Sequence, residues 1–181
     1  MKDSSDRGGI GVPPEGRAPL SMHAALLRGG LHDDLPGQTR AEVLAAVSAL
    51  PGIPAGVDRR VLRDLLVSRE ELASTGIGRG VAVPHPRDPL VVHVDEPVVL
   101  LCFLRQPVDF QAIDGLPVRV LFTVFSPSVR IHLRLLARLA WLLHDERLGQ
   151  LLIRRAPASD ILGRIATLEH EIPAHRPESQ P

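Results

Sequence analysis

The chain has 181 residues, of which 44% are apolar and 23% charged, as expected for one globular domain with a hydrophobic core. Its 21 basic and 21 acidic residues cancel, so charge gives no reason to expect a nucleic-acid or anionic-membrane partner. The longest uncharged apolar run, residues 98–104, is far shorter than the roughly 18 residues of a membrane span. Polar residues follow Met1 where a signal peptide would be apolar, which predicts a cytoplasmic protein. A single cysteine, Cys102, excludes an intrachain disulfide and a cysteine-based zinc site.

The two ends of the chain are predicted to lie outside the folded domain. Residues 1–19 are rich in Gly and Pro with isolated apolar side chains, which predicts a flexible arm. Residues 171–181 have a similar composition and predict a flexible tail, so the domain is expected over residues 20–170.

The first part of the domain is predicted to be helical. Ser21 is a candidate N-cap for a short helix that ends at Gly29. Thr39 followed by Glu42 forms a capping box for a second helix, and the intervening residues 33–37 predict a turn. A third helix, capped by Asp58, is expected to end near residues 69–70.

The central part is predicted to contain the strands. A glycine-rich turn at 75–80 leads into a short strand at 81–83, and 90–94 is a weaker strand candidate. Residues 98–104 and 118–125 are the strongest candidates, the first with both faces buried.

Helices return after the strands. Ser126 and Pro127 predict the start of the longest helix, and helical stretches follow at 146–154 and 159–170. This order predicts an α/β domain with a central sheet covered by helices.

His85 is the first candidate for chemistry, since Pro84 and Pro86 hold it on a stiff segment after a short strand. Loops at strand ends often contain functional residues, and an imidazole there can act as nucleophile, base or metal ligand. The alternative is an ordinary solvated loop histidine.

His132 and Arg69 are the next candidates. His132 shares a helix face with leucines at 136, 139 and 143, so its ring must find a polar partner or line a cavity. The alternative is a core histidine satisfied by a backbone carbonyl. Arg69, six residues before the glycine turn, suits an anion such as phosphate, although a cation at a helix C-terminus is favourable by itself.

The sequence does not favour a nucleotide site or a zinc site. Residues 75–80 lack the Walker spacing and lead into a strand rather than a helix, so they do not predict a nucleotide site; their glycines are expected to let the backbone approach the histidine loop. A zinc site from His85, His93 and His132 has no recognised ligand spacing. Ser74 and Thr75 are candidate hydrogen-bond donors to phosphate, or simply turn residues.

Three segments, in the same order along the chain, resemble the IIA domains of the bacterial phosphotransferase system. The class is the mannitol/fructose class, which includes the nitrogen-regulatory IIA protein. The first spans residues 68–89, with an Arg at the helix end, a Ser-Thr-Gly-Ile-Gly turn and a strand ending in Pro-His. The second is 107–122 and the third is the helix segment 132–143. The resemblance covers roughly residues 20–168.

The resemblance implies a fold, a reaction and a set of site residues. The fold is a single-domain α/β sandwich with a mixed sheet between helices. His85 would accept a phosphoryl group from the phosphohistidine of HPr or a nitrogen-branch relative, supplied by phosphoenolpyruvate through Enzyme I. His132 would support the phosphorylated ring and Arg69 would balance phosphate charge. Together with the hydroxyls of Ser74 and Thr75, Arg87 is a predicted phosphate contact. No metal, nucleotide or other cofactor is expected.

One departure from the family pattern leaves a second function open. Pro86 stands where the family commonly has Gly, which removes a backbone N–H beside His85, while Arg87 keeps the usual basic position. The leading hypothesis, based on the resemblance, is a regulatory phosphocarrier that is phosphorylated on His85 and passes phosphate to a IIB domain or signals through its phosphorylation state. The alternative is a IIA-like binding module that does not turn over phosphate, and a metal-dependent hydrolase is a third hypothesis.

Overall fold

The computed structural model describes residues 20–171, so the predicted arm and most of the predicted tail lie outside the described residues. Within that range the chain forms six α-helices, five strands and one short 3-10 helix at Pro89–Val91. The helices are α1 Met22–Gly29, α2 Arg40–Ser48, α3 Arg59–Leu72, α4 Val129–Leu142, α5 Glu146–Ile153 and α6 Ala158–Glu171. The strands are β1 Leu31–Leu35, β2 Gly76–Gly78, β3 Val81–Ala82, β4 Val98–Val108 and β5 Val118–Phe125.

The first three helices begin at the predicted caps. The Ser21 hydroxyl accepts from the Ala24 N–H at 3.1 Å, and the Thr39 hydroxyl accepts from the Glu42 N–H at 3.2 Å. Asp58 accepts from the N–H groups of the first turn of α3. Each cap satisfies backbone donors that have no partner within the helix, which confirms these three predicted starts.

Three local predictions were wrong. Residues 33–37 were expected to turn, but residues 33 and 34 belong to β1, because pairing with β4 outweighs their low strand propensity. Residues 90–94 were expected to form a strand. Instead Pro89 starts a 3-10 helix, whose first turn is capped by the Asp88 carboxylate at 2.9 Å from the Leu90 N–H. The cap of α4 is Ser128 rather than Ser126, and the Ser128 hydroxyl accepts from the Ile131 N–H at 3.2 Å.

The five strands form one mixed sheet in the order β1-β4-β5-β3-β2. β4 and β5 are antiparallel, whereas β1 runs parallel to β4 and β3 runs parallel to β5. Because β3 and β5 are parallel, their carboxyl ends meet at the same edge of the sheet, and the segments that follow them lie side by side. This edge holds the loop containing His85 and the start of α4.

Helices cover both faces of the sheet. Val99, Leu101 and Phe103 of β4 pack toward α1, α4, α5 and α6. Their neighbours Leu100 and Cys102 pack toward α2 and α3 on the other face. β4 is therefore buried on both sides, as predicted, and the predicted α/β sandwich with a central mixed sheet is confirmed.

One carboxylate ties the first and last helices together. Glu169 of α6 accepts from the Ser21 hydroxyl at 2.8 Å, and also from the Met22 and His23 N–H groups at 2.6 and 3.1 Å. Arg138 of α4 pairs with the same carboxylate at 3.1 Å and also donates to the Leu20 carbonyl. Three helices are thus fixed to each other through one largely buried side chain.

Candidate functional site

The structure brings His85 and His132 into contact at the carboxyl edge of the sheet. Their ring centroids are 5.0 Å apart and the ring planes are inclined by 52°. His85 follows β3 and is half-buried, while His132 lies in the first turns of α4 and is only 6% exposed. The Val124 N–H donates to the Pro84 carbonyl at 3.1 Å, which attaches the histidine loop to β5.

A backbone hydrogen bond determines which nitrogen of His85 is free to react. Nδ1 of His85 lies 2.8 Å from the Val83 carbonyl oxygen. Because a carbonyl can only accept, Nδ1 bears the proton and Nε2 has the available lone pair in the neutral ring. The flanking prolines restrict the backbone, so the ring is held with one defined nucleophilic nitrogen.

Both histidines are kept neutral near pH 7. Burial lowers the pKa of His85 below its ordinary 6.5, and the positive charge of Arg69 lowers it further, against the opposing effects of the Val83 carbonyl and Glu70. Burial also lowers the pKa of His132 to about 4, with contributions from His85 and Arg69. Arg69 therefore acts on both rings, although its guanidinium also donates to the Ala73 carbonyl at 2.7 Å near the end of α3.

The polar partner of His132 is a hydroxyl rather than a backbone carbonyl. Nδ1 of His132 lies 3.2 Å from the Ser126 Oγ, and Ser126 is only 1% exposed. The sequence placed Ser126 at the helix cap, so its role beside the histidine was missed. Ser126 and Ser128 are both suitable N-cap residues in the sequence, and only the position at which the first turn of α4 begins shows that Ser128 is the cap.

The turn that joins α3 to β2, residues 73–75, is anchored by Glu70, which sequence analysis also missed. The Glu70 carboxylate accepts from the Thr75 N–H at 3.0 Å and from the Thr75 hydroxyl at 2.5 Å. The Thr75 carbonyl in turn accepts from the Val83 N–H at 2.9 Å. Since Val83 also accepts from His85, a continuous set of hydrogen bonds joins the end of α3 to the candidate nucleophile.

Residues 107–122, the second of the three segments that resemble the family, pack directly on this turn. The Ser74 hydroxyl donates to the Phe110 carbonyl at 2.6 Å and accepts from the Gly76 N–H at 2.9 Å. A Cβ on Gly76 would lie 2.7 Å from the Cβ of Ala112, so only glycine fits there. This contact corrects the expected role of Gly76: it admits the segment around Ala112 rather than the histidine loop.

The predicted phosphate contacts differ in their surroundings. The hydroxyls of Ser74 and Thr75 already bond to protein groups and support the turn. Arg87 is exposed two residues beyond His85. Contact of these three residues with phosphate stays a prediction.

The metal alternative finds no support in the described part of the chain. Within residues 20–171, no group of three His, Cys, Asp or Glu side chains is placed to hold a metal ion. His93 is exposed, in the segment after the 3-10 helix. No helix in the same range is long and apolar enough to cross a membrane.

Comparison with known proteins identifies the family. Residues 34–167 match the family described as "Phosphoenolpyruvate-dependent sugar phosphotransferase system, EIIA 2". The chain belongs to this EIIA 2 family. The match confirms the resemblance to IIA domains of the mannitol/fructose class.

Relatives of this EIIA 2 chain include nitrogen regulatory proteins. It is 35% identical over 136 residues to the "Nitrogen regulatory protein" of Pseudomonas aeruginosa, with 73% of this chain and 85% of that protein covered. The crystal structure of "Nitrogen Regulatory Protein IIA-Ntr" from Neisseria meningitidis matches with a TM-score of 0.66 at 26% identity, over 77% of this chain and 94% of that one.

A more distant structure shares the fold. Enzyme IIAMTL of Escherichia coli, solved in complex with phosphorylated enzyme IIBMTL, matches with a TM-score of 0.60 at 18% identity. The match covers 77% of this EIIA 2 chain and 95% of that one. It supports the fold assignment.

The buried position of His132 makes the stability of this EIIA 2 domain pH-dependent. The unfolded chain protonates His132 near pH 6.5 and the folded chain only near pH 4. Between these values the unfolded state binds more protons, so the free energy of unfolding falls as the pH falls. We expect His132 to account for a loss of about 2 kcal/mol between pH 7 and pH 5.

Urea denaturation at both pH values measures this loss. A His132→Gln variant has no titrating group at this position, so its stability should fall by about 2 kcal/mol less than that of the wild type over the same interval. An equal loss in both proteins would contradict the assigned pKa.

Proposed function

We propose that this EIIA 2 protein is a phosphocarrier that accepts a phosphoryl group on Nε2 of His85 from the phosphohistidine of HPr or a nitrogen-branch relative. The observation that supports this most directly is the paired histidine site, in which Nδ1–H of His85 donates to the Val83 carbonyl, Nε2 is left for reaction, and the ring contacts that of His132. The low pKa of His85 keeps that nitrogen unprotonated and nucleophilic at pH 7.

The transfer is balanced without a metal or a proton acceptor. The Nε2 lone pair of His85 forms the new N–P bond as the N–P bond of the donor breaks, and that electron pair returns to the donor imidazole. The proton on Nδ1 of His85 stays there throughout and is donated in a hydrogen bond to the Val83 carbonyl oxygen. Phosphoryl transfer passes through a loose transition state with little bonding to either nitrogen, so positioning and charge stabilisation supply most of the catalysis.

The neighbouring side chains supply the charge stabilisation. The positive charge of Arg69 lowers the pKa of both histidines, and the same charge balances the negative charge that accumulates beside His85. If the Ser126 hydroxyl donates to Nδ1 of His132, the proton of His132 lies on Nε2 and can be donated to a phosphoryl oxygen. Arg87 is exposed next to the loop and offers a second cation.

The surface beside the histidines suits a protein donor. Leu90 and Val91 in the 3-10 helix are 52% and 44% exposed, and Val129 and Leu133 on α4 are 51% and 60% exposed. The 3-10 helix contacts α4, so these apolar side chains lie on two adjacent elements, one that follows His85 in the chain and one that contains His132. Exposed apolar side chains around a reacting group are typical of a docking surface.

The relatives favour a regulatory role within this proposal. The nitrogen regulatory protein of Pseudomonas aeruginosa is 35% identical to this chain over 136 residues. We propose that this protein acts in the cytoplasm and signals to a regulatory target through its phosphorylation state. A IIB domain is the alternative acceptor, since the IIAMTL structure contains one.

Transfer from phosphoenolpyruvate through Enzyme I and HPr, or the nitrogen-branch pair, tests the proposal. Intact mass, read at neutral to mildly alkaline pH, should show one added phosphate on the wild type and none on His85→Ala. His93→Ala is the matched control, because His93 is an exposed histidine eight residues further on. It should be phosphorylated like the wild type.

Two other outcomes have defined meanings. Phosphate on His85→Ala would place the acceptor elsewhere. A wild type that stays unphosphorylated with its cognate donors would favour the binding module, which Pro86 supports because it is buried beside His85 and has no N–H. Pro86→Gly would then be expected to restore the transfer.

A further inference from the structure

A cavity of about 540 Å³ lies at the opposite end of α4 from His132. It is open to solvent on one side and is bounded by the β2–β3 turn, the start of β5, the end of α4 and α5. Leu143, at its wall, is eleven residues beyond His132, which corresponds to about 16 Å along a helix. The cavity is therefore separate from the paired histidines, and its volume lies in the range of small-molecule sites.

The inner wall of the cavity is apolar. Val81, Phe103 and Val120 contribute side chains from three adjacent strands. Leu143, directly after α4, and Leu152 of α5 contribute from the helical side. The three strand residues are at most 7% exposed, so the wall is fixed by the core behind it. Such a surface favours the hydrocarbon part of a ligand.

Three arginines from separate parts of the fold surround this wall. Arg79 is in the β2–β3 turn, Arg119 is in β5 and Arg155 follows α5. Within residues 20–171 none of the three forms an ion pair, and Glu146 is the one acid among the described residues that line the cavity. The cavity is locally cationic in a chain whose net charge is zero.

Two of these arginines have unusual backbone geometry and side chains that contact the rest of the fold. Arg79 and Arg155 have φ values of 56° and 50°, in the left-handed region that non-glycine residues rarely occupy. The Arg79 guanidinium donates to the Leu143 carbonyl at 3.4 Å. That of Arg155 donates to the Leu104 carbonyl and lies 5.9 Å from the centre of the Phe103 ring. Each keeps further N–H donors for a ligand.

We propose that this cavity binds a small amphipathic anion. Its hydrocarbon part would pack on the wall formed by Val81, Phe103 and Val120. Its carboxylate or phosphate would be bound by Arg79, Arg119 and Arg155, since guanidinium groups match both anions. The proposal concerns a site distinct from His85 and does not depend on phosphoryl transfer.

Backbone amide NMR of the full chain, titrated with four octyl probes at low millimolar concentration, tests the charge and the location together. Octanoate and octyl phosphate should shift the amides of the β2–β3 turn and α5, and their relative affinities distinguish a carboxylate from a phosphate site. Octanol should bind more weakly, and octylammonium should not bind.

Three variants separate this site from general surface binding. Arg119→Ala should weaken octanoate binding about tenfold, because one charge-assisted interaction is removed. Gly149→Phe should block it, since Gly149 lines the cavity and a Cβ there meets no heavy atom within 4 Å. Arg63→Ala on α3, which packs on the other face of the sheet, removes the same charge and should leave the affinity unchanged.

Any of three results would overturn the proposal. Neither anion gives saturable amide shifts, octylammonium binds as tightly as octanoate, or both Arg119→Ala and Gly149→Phe bind octanoate with the affinity of the wild type. Amide spectra of the free variants establish that each is folded before its affinity is compared.

Discussion

Replacing Arg69 with Gln should slow phosphoryl transfer to His85 about 100-fold, the usual cost of removing one preorganised charge from a transition state. The same change should raise the pKa of both His85 and His132, because the positive charge of Arg69 lowers both. Rates are measured by quenched-flow phosphorylation, and the pKa values by NMR titration of the imidazole nuclei.

Arg63→Gln is the matched control for this prediction. Arg63 lies on the same helix, is about half exposed and pairs with its neighbour Asp64. Its replacement should change neither the rate nor the histidine pKa values. Unchanged pKa values in Arg69→Gln would show that the guanidinium does not reach the rings, whatever happens to the rate.

Replacing Glu70 with Ala should lower the free energy of unfolding by about 3 kcal/mol, because the N–H and the hydroxyl of Thr75 would both lose their buried acceptor. Glu70 is 4% exposed, so water cannot easily take its place. Glu70→Gln keeps one acceptor oxygen and should cost less. Urea denaturation at pH 7 measures all three proteins.

Glu71→Ala controls for the loss of one acid at the end of α3. Glu71 is exposed, and we expect its replacement to change stability by no more than about 0.5 kcal/mol. If Glu70→Ala were no more destabilising than Glu71→Ala, the hydrogen bonds to Thr75 would not hold the turn. Because that turn leads to Val83 and His85, a mobile turn should also slow transfer.

Local signals in the sequence predicted most of the elements. The caps at Ser21, Thr39 and Asp58 depend on side chain to backbone bonds within three residues, which a sequence displays directly. The apolar runs of β4 and β5 are long enough to indicate buried strands. β1 was missed because its acidic residues form a strand only through pairing with a distant partner.

The residues of the candidate site were predicted only where the local sequence marks them. His85 is marked by its prolines, and His132 by its place on an apolar helix face. Glu70 looked like one of several acids at the end of a helix, since its burial depends on how α3 packs against the turn. Nothing in the Ser-Pro-Ser sequence shows that Ser126 faces a ring six residues away.

Glu169 has a consequence for how the domain opens. Terminal helices usually fray first and independently. Here the hydrogen bonds that start α1 end on a side chain of α6, and Arg138 holds that side chain from α4. We therefore expect loss of the last helical turn to release the first helix as well, so that the two ends of the domain open as a single cooperative unit in hydrogen exchange.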